Sequence, residues 1–355
     1  MRNGATMGQQ FEFKLGETAL RRLPQGLLPI VLPPEPERAH PAPVKARPAI
    51  LPRDIAAEDA FRLTLLQCKW HIASNIAAVR DGHEVEGIHQ MRVGFRRLRV
   101  ALTSFGGDFR TPALEQLKDR AKRLSEKLAP ARDLDVFVED LLQSAAKANG
   151  DVEGFEQLRE RANAARRTAW EYAVAHVESP AFEAFLRDLG DAIDRRVWFE
   201  AAGRAHATSG HMAFEMPAAD LAGRMLDHRL KVARKRARHL KKLSPVKRHE
   251  LRIALKKLRY TSEFFAPLYD EPAAREFLQP LAKMQDVLGS LNDVAVARDT
   301  LSRLAAPQSA GGATLSFAAG IVYGWHLDRA EHNWTHAKKR WKHFVKTQPF
   351  WQARA

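Results

Sequence analysis

Cysteine is almost missing from this chain of 355 residues: Cys68 stands alone. No intramolecular disulfide can form, and no cysteine-built metal centre either. A reducing compartment fits that usage. Long apolar runs are also missing. No stretch approaches the roughly 18 consecutive apolar residues of a membrane-spanning helix, and the N-terminus lacks the apolar run of a signal peptide. These absences point to a soluble cytoplasmic protein. The sequence holds no Gly-x-x-x-x-Gly-Lys-Ser/Thr loop, no Gly-x-Gly-x-x-Gly turn and no His-Glu-x-x-His pair. No nucleophile–base pair is supported by spacing, and no acidic cluster of the kind phosphoryl chemistry uses to hold its metals is visible. The chain is therefore expected to be no enzyme, with no catalytic residues, no metal ligands and no cofactor.

Period-two alternation is scarce as well. Only Gln10 to Leu15 alternates over a strand length, near the N-terminus. Residues 23–53 carry Pro24, Pro29, Pro33, Pro34, Pro36, Pro41, Pro43, Pro48 and Pro52, a density that forbids helix and favours an extended, weakly structured linker. From Asp54, a plausible N-cap, the pattern is helical. Helices are expected near 84–105, 112–128, 131–148, 152–178, 180–203, 218–242, 245–267, 272–288, 291–305 and 313–346. Thr111-Pro112 and Ser244-Pro245 mark two of the starts, and Gly82, Gly106-Gly107 and Asn149-Gly150 mark ends. The fold class is all-α, most simply two helical bundles in tandem, 54–205 and 217–346, joined by a Gly/Ser/His-rich stretch.

Acids are in deficit. The formal charge is +15 and the pI near 10.1, a balance that suits a polyanionic partner. Residues 224–259 hold fifteen Lys or Arg against two acids, Asp227 and Glu250, and so carry most of that excess. Within them Lys231, Arg234 and Arg238 share one helix face. Lys118, Lys122 and Arg132 add cations in the first half.

One stretch organises the rest. On a helix, residues 89–105 place Met91, Phe95, Leu98, Leu102 and Phe105 on one apolar stripe. His89, Arg92, Arg96 and Arg99 form a second stripe only about 100° away, at the edge of the buried face, where side chains can line a crevice. The pattern recurs at an offset of 160 residues: His249, Arg252, Lys256, Lys257, Leu258, Arg259 and Phe265 match His89, Arg92, Arg96, Arg97, Leu98, Arg99 and Phe105. The offset persists downstream, where Leu128, Asp133 and Val136 match Leu288, Asp293 and Val296. A repeat of this length is one architectural unit built twice. The two basic rows are expected to face one shared surface. Asp133, Asp135 and Asp293 read as helix N-caps. His326, His332, His336 and His343 read as a polar helix face, since His332 and His336 have the spacing of a metal pair but no acid on the same face.

The twin motif resembles the CHAD family, the conserved histidine α-helical domain, over about residues 54–346. The resemblance implies a pair of four-helix bundles related by approximate internal two-fold symmetry. It also implies binding of inorganic polyphosphate, including association with polyphosphate granules. The family's histidine falls on His89 and His249, and its basic positions on Arg92, Arg96, Arg97 and Arg99 and on Arg252, Lys256, Lys257 and Arg259. Residues 1–22 are similar to the first strand of the CYTH, or triphosphate tunnel, family, with Gln10 where its Glu-x-Glu-x-Lys motif has the first acid. The prolines arrive too soon for a complete tunnel, so the stretch is read as a remnant without triphosphatase activity. The alternative is a nucleic-acid-binding helical protein, which the charge suits equally. It finds no recognition signature, and few aromatics interleave the basic rows.

Overall fold

A computed structural model describes residues 40–105, 109–150, 152–199, 214–306 and 312–352. Thirteen α-helices run through them. They are α1 (Ala57–Ala73), α2 (Ile76–Asp81), α3 (Glu86–Ser104), α4 (Pro112–Lys127), α5 (Ala129–Val136), α6 (Gln143–Asn149) and α7 (Phe155–Val177), followed by α8 (Pro180–Asp194), α9 (Ala218–Arg236), α10 (Pro245–Phe265), α11 (Glu271–Leu304), α12 (Gly312–Thr335) and α13 (Ala337–Phe344). A π-helical turn, Phe137–Leu142, joins α5 to α6. Among the described residues the sole β contact is a bridge between Ala56 and Pro217. The fold is all-α. The strand expected at 10–15 lies outside the described residues.

Local chemistry explains four of the starts. Thr111, Ser179, Ser244 and Asp270 each accept a hydrogen bond from the amide three residues on, with a proline in the first helical turn behind them. The first helix differs. Asp54 does not cap it. Ala56 holds the N-cap position, and the Ala57 amide donates to the Met216 carbonyl at 2.8 Å while Ala218 donates to Ile55 at 2.8 Å. The entries to α1 and α9 are thus tied to each other. Inside α1, Glu58 is buried and satisfied by Trp198 Nε1 at 3.1 Å and Arg196 Nη1 at 3.1 Å.

Two further expectations change. Helices predicted at 272–288 and 291–305 are one 34-residue helix, α11, about 51 Å long, because Gly289 and Ser290 continue it. The long C-terminal helix breaks instead at His336, between α12 and α13.

The apolar cores do not follow the expected division at 205/217. The main core takes Phe61, Phe95, Phe105 and Trp198 from the first half, and Leu258, Phe265, Phe277 and Phe344 from the second. A separate, smaller core joins Phe137, Leu141 and Leu158 to Ala297, Leu301 and Leu315. The repeat explains this. Leu128 and Leu288 both lie in the main core, while Phe137 with Ala297 and Leu141 with Leu301 lie in the second. Equivalent segments leave one core and enter the other at equivalent positions, so each core is closed by both halves.

Candidate functional site

The organising stretch is helix α3, and its apolar stripe is buried as expected: Met91, Phe95, Leu98, Leu102 and Phe105 are each 3% exposed or less. Gly94 lets α1 press against it. A Cβ there would stand 2.8 Å from Ile72 Cγ1 and 3.3 Å from His71 Nδ1. With that face clamped, His89, Arg92, Arg96 and Arg99 emerge half-buried at its edge. Helix α10 repeats the arrangement, with Leu251, Leu255, Leu258 and Phe265 buried and Arg252, Lys256, Lys257 and Arg259 half-buried.

The two helices meet. Phe105 packs on its repeat mate Phe265, ring centroids 5.3 Å apart. Arg96 Nη1 donates to Tyr260 Oη at 3.2 Å, and Ser104 and Thr261 share a hydrogen bond of 3.1 Å. Arg97 crosses from α3 to donate to Glu263 Oε2 at 2.5 Å, with its guanidinium 4.9 Å from the Phe264 ring.

This meeting gathers the cations. Lys256 lies in the field of Arg96, Arg252 and Arg92, with Asp293 as the counter-charge. Burial above all, and then those arginines, push its ammonium down to about 7. Burial likewise lowers Arg92 and Arg252 from their ordinary values, opposed by Asp133 for Arg92 and by Asp293 for Arg252. The repeat therefore preserves a matched arginine and aspartate in each half. Burial also lowers His89, helped by Arg132. A second group forms further along. Lys257 is lowered by burial and by Arg229, Arg99 and Lys118, and Arg229 donates to Ser104 Oγ at 3.1 Å.

A cavity of about 870 Å³ opens beside the first group. His89, Arg96, Lys256, Arg259 and Tyr260 line it, together with Lys45 and Arg47 from upstream of α1. Crowded cations repel one another and cost folding energy, a cost that a polyanion laid among them offsets.

Several predicted residues are engaged by protein groups or lie away from this groove. Arg97 is buried and committed to Glu263, which Arg259 also reaches from Nε at 2.7 Å. Arg97 is a clamp between the repeat helices, while Arg259 pairs with Glu263 within α10 itself. Arg92 donates to the Ser125 carbonyl at 2.6 Å, fixing α4 beside the site. Lys118 pairs with Glu115, and the exposed Lys122 stands 3.8 Å from Glu126. His249 is exposed, unlike His89. Lys231 and Arg234 are exposed on α9, about 200° and 140° around it from Arg229, and Arg238 follows its end.

The N-cap reading of the aspartates is corrected. Asp133 and Asp293 sit inside α5 and α11, where they face the motif arginines. Asp135 is buried and accepts from Arg166 Nε at 2.8 Å and Trp170 Nε1 at 2.9 Å. Among the C-terminal histidines, His326 donates to the Leu141 carbonyl at 2.8 Å, and the rings of His332 and His336 stand 5.3 Å apart.

The family model described as the CHAD domain matches residues 64–302, more than half of the chain. The chain belongs to the CHAD family. Its CHAD domain resembles the crystal structure of the CHAD domain from the plant Ricinus communis, with a TM-score of 0.69 and 30% identity over 83% of this chain and 96% of that one. The fold is also similar to that of PptA from Streptomyces chartreusis, with a TM-score of 0.55 and 17% identity over 81% of this chain and 100% of that one. No curated relative matches the sequence. The tunnel-family remnant read at residues 1–22 falls outside the described residues. Among those described, no helix of the CHAD domain is long and apolar enough to cross a membrane.

Proposed function

We propose that this CHAD domain is a non-enzymatic binder of inorganic polyphosphate, held in the groove where α3 meets α10. The observation that carries the reading is the convergence of Arg92 and Arg96 with Arg252 and Lys256, four cations from two repeat copies gathered around one position. Polyphosphate has about one charge per phosphate and no bases to read, so a binder needs closely spaced cations on a rigid frame. Arginines supply forked donors to phosphate oxygens and lysines supply point charges. Helical rows space such side chains about 5–6 Å apart, on the scale of successive phosphates. The same affinity would recruit the protein to polyphosphate granules.

The test is titration with long-chain polyphosphate in competition with DNA and RNA at fixed salt. Polyphosphate should bind in preference to both nucleic acids. With about six phosphates neutralised, affinity should fall about 10²- to 10³-fold between 50 and 200 mM salt. Equal or tighter binding of nucleic acid would favour the alternative reading, and salt-independent affinity would reject the electrostatic one.

A further inference from the structure

We propose that residues 40–48 are a strap that completes the groove, with Lys45 and Arg47 as binding residues contributed from outside the region the CHAD family model matches. The proposal rests on the polyphosphate reading of the groove. That match begins at residue 64, so these two cations lie upstream of it.

The segment does not behave as the weakly structured linker its prolines suggest. From His40 onward the chain belongs to the same compact unit as the helices. Its upstream end is pinned where His40 Nδ1 donates to Asp81 Oδ1 at 3.1 Å and the His40 ring stacks on His83 at 4.0 Å. Its middle is held at both backbone polar groups of one residue, Val44. The Val44 amide donates to Asn75 Oδ1 at 3.0 Å, and the Val44 carbonyl accepts from Asn75 Nδ2 at 2.9 Å and from His71 Nε2 at 3.0 Å. Asn75 is fully buried and His71 nearly so; Asn75 also donates to the His71 carbonyl at 2.8 Å, and His71 Nε2 lies 3.2 Å from Gln90 Oε1. Downstream, Leu51 and Ile55 enter the main core.

Between these anchors exposure alternates along the chain. Val44 and Ala46 are half-buried and Lys45 and Arg47 exposed, and Lys45, Ala46 and Arg47 all line the cavity. Pro41, Pro43 and Pro48 restrict the unbound chain, so little conformational entropy is lost in presenting the two cations. The Arg47 guanidinium rests 5.8 Å from the Trp70 ring, a cation–π contact that restrains its position. Across the cavity stand Arg96 and Lys256. A phosphate chain entering there meets cations on three segments, α3, α10 and the strap.

The experiment uses the full chain and long-chain polyphosphate. Lys45→Ala with Arg47→Ala should weaken binding about tenfold or more at 100 mM salt. It should also reduce the slope of log affinity against log salt by about 1.4, two phosphate contacts' worth. Asn75→Ala keeps both charges but unhooks the strap. It should lose part of the same affinity and add little when combined with the double variant. Both charged residues are exposed, so their removal leaves the fold intact, with circular dichroism as the control. If the wild type binds and the double variant keeps its affinity and salt slope, the strap proposal is overturned while the groove reading stands. If the wild type does not bind polyphosphate, both fall.

Discussion

Lys256 makes polyphosphate binding depend on pH in a way that can be worked out in advance. Its ammonium is lowered to about 7, first by burial and then by Arg96, Arg252 and Arg92, with Asp293 opposing them. A polyphosphate chain in the groove supplies the opposite field, so binding favours the charged lysine and raises its pKa again. Below pH 7 the lysine already carries its proton and contributes nothing to the pH dependence. Above pH 7 each binding event must take up a proton. Affinity then falls by up to tenfold per pH unit, or about 1.4 kcal/mol. Between pH 7 and pH 8.5 this amounts to about 2 kcal/mol, or about 30-fold. The assay is isothermal titration in buffers of different ionisation enthalpy, which reads proton uptake directly. Near pH 8.5 uptake should approach one proton per site. Lys256→Met should flatten the profile above pH 7, binding more weakly than wild type at pH 6.5 and about equally at pH 9. Burial holds His89 below its ordinary value in the unliganded protein, and the Lys256→Met comparison separates its proton uptake from that of the lysine. Wild-type affinity that is flat from pH 6.5 to pH 9, or a Lys256→Met variant with the wild-type slope, would refute the assignment.

Three other outcomes follow from the packing. Replacing Arg92, Arg96 and Arg99 together by alanine, or Arg252, Lys256 and Arg259, should each weaken long-chain binding by about 100-fold or more, because a chain held by one row reaches the other almost intramolecularly; a triple variant that binds like wild type would show that the rows act separately. His71 is buried and lowered to about 4, by burial first and then by Arg97, so the folded state resists its protonation. Its contribution is complete above pH 6.5 and is lost as pH falls through 4, at a total of about 3 kcal/mol; denaturant unfolding at pH 7 and pH 4 measures it, and His71→Asn should remove that part of the difference. Gly94→Val should destabilise by about 1–3 kcal/mol through overpacking against Ile72, whereas Gly223→Ala, with open space around its Cβ, should stabilise by up to about 1 kcal/mol, both read from thermal unfolding.

Periodicity was a sufficient guide to α3 and α10. The 3–4 spacing of Met91, Phe95, Leu98, Leu102 and Phe105 dictates which face is buried, and the basic row must then emerge at its edge. It does not say what stands opposite that row. Glu263, four residues after Arg259, was visible as a potential partner for that arginine, but its capture of Arg97 from the other repeat depends on how the helices cross. Asp133 and Asp293 were recognisable as a repeated pair, and their role as counter-charges to Arg92 and Arg252 appears only in three dimensions. Arg229 was hidden in a run of cations. Its own helix turns Lys231 and Arg234 away from Ser104 and Lys257 while turning Arg229 toward them. Over residues 40–53 no helix forms, as proline density requires, but composition does not show that the segment docks on one buried asparagine.

The second core has a consequence for how this protein is made. Phe137, Leu141 and Leu158 belong to a cluster that is closed by Leu301 and Leu315. During synthesis the first three leave the ribosome long before the last two exist. At about 5–20 residues per second, the wait is on the order of 10–30 s. For that interval the nascent chain presents an apolar face that lacks its second-half partners, and Phe105, though packed on Phe61 and Phe109, still lacks Phe265. Folding cannot be completed one half at a time, and the half-made chain is the stage at which a chaperone, or a neighbouring nascent copy, would find the most to hold.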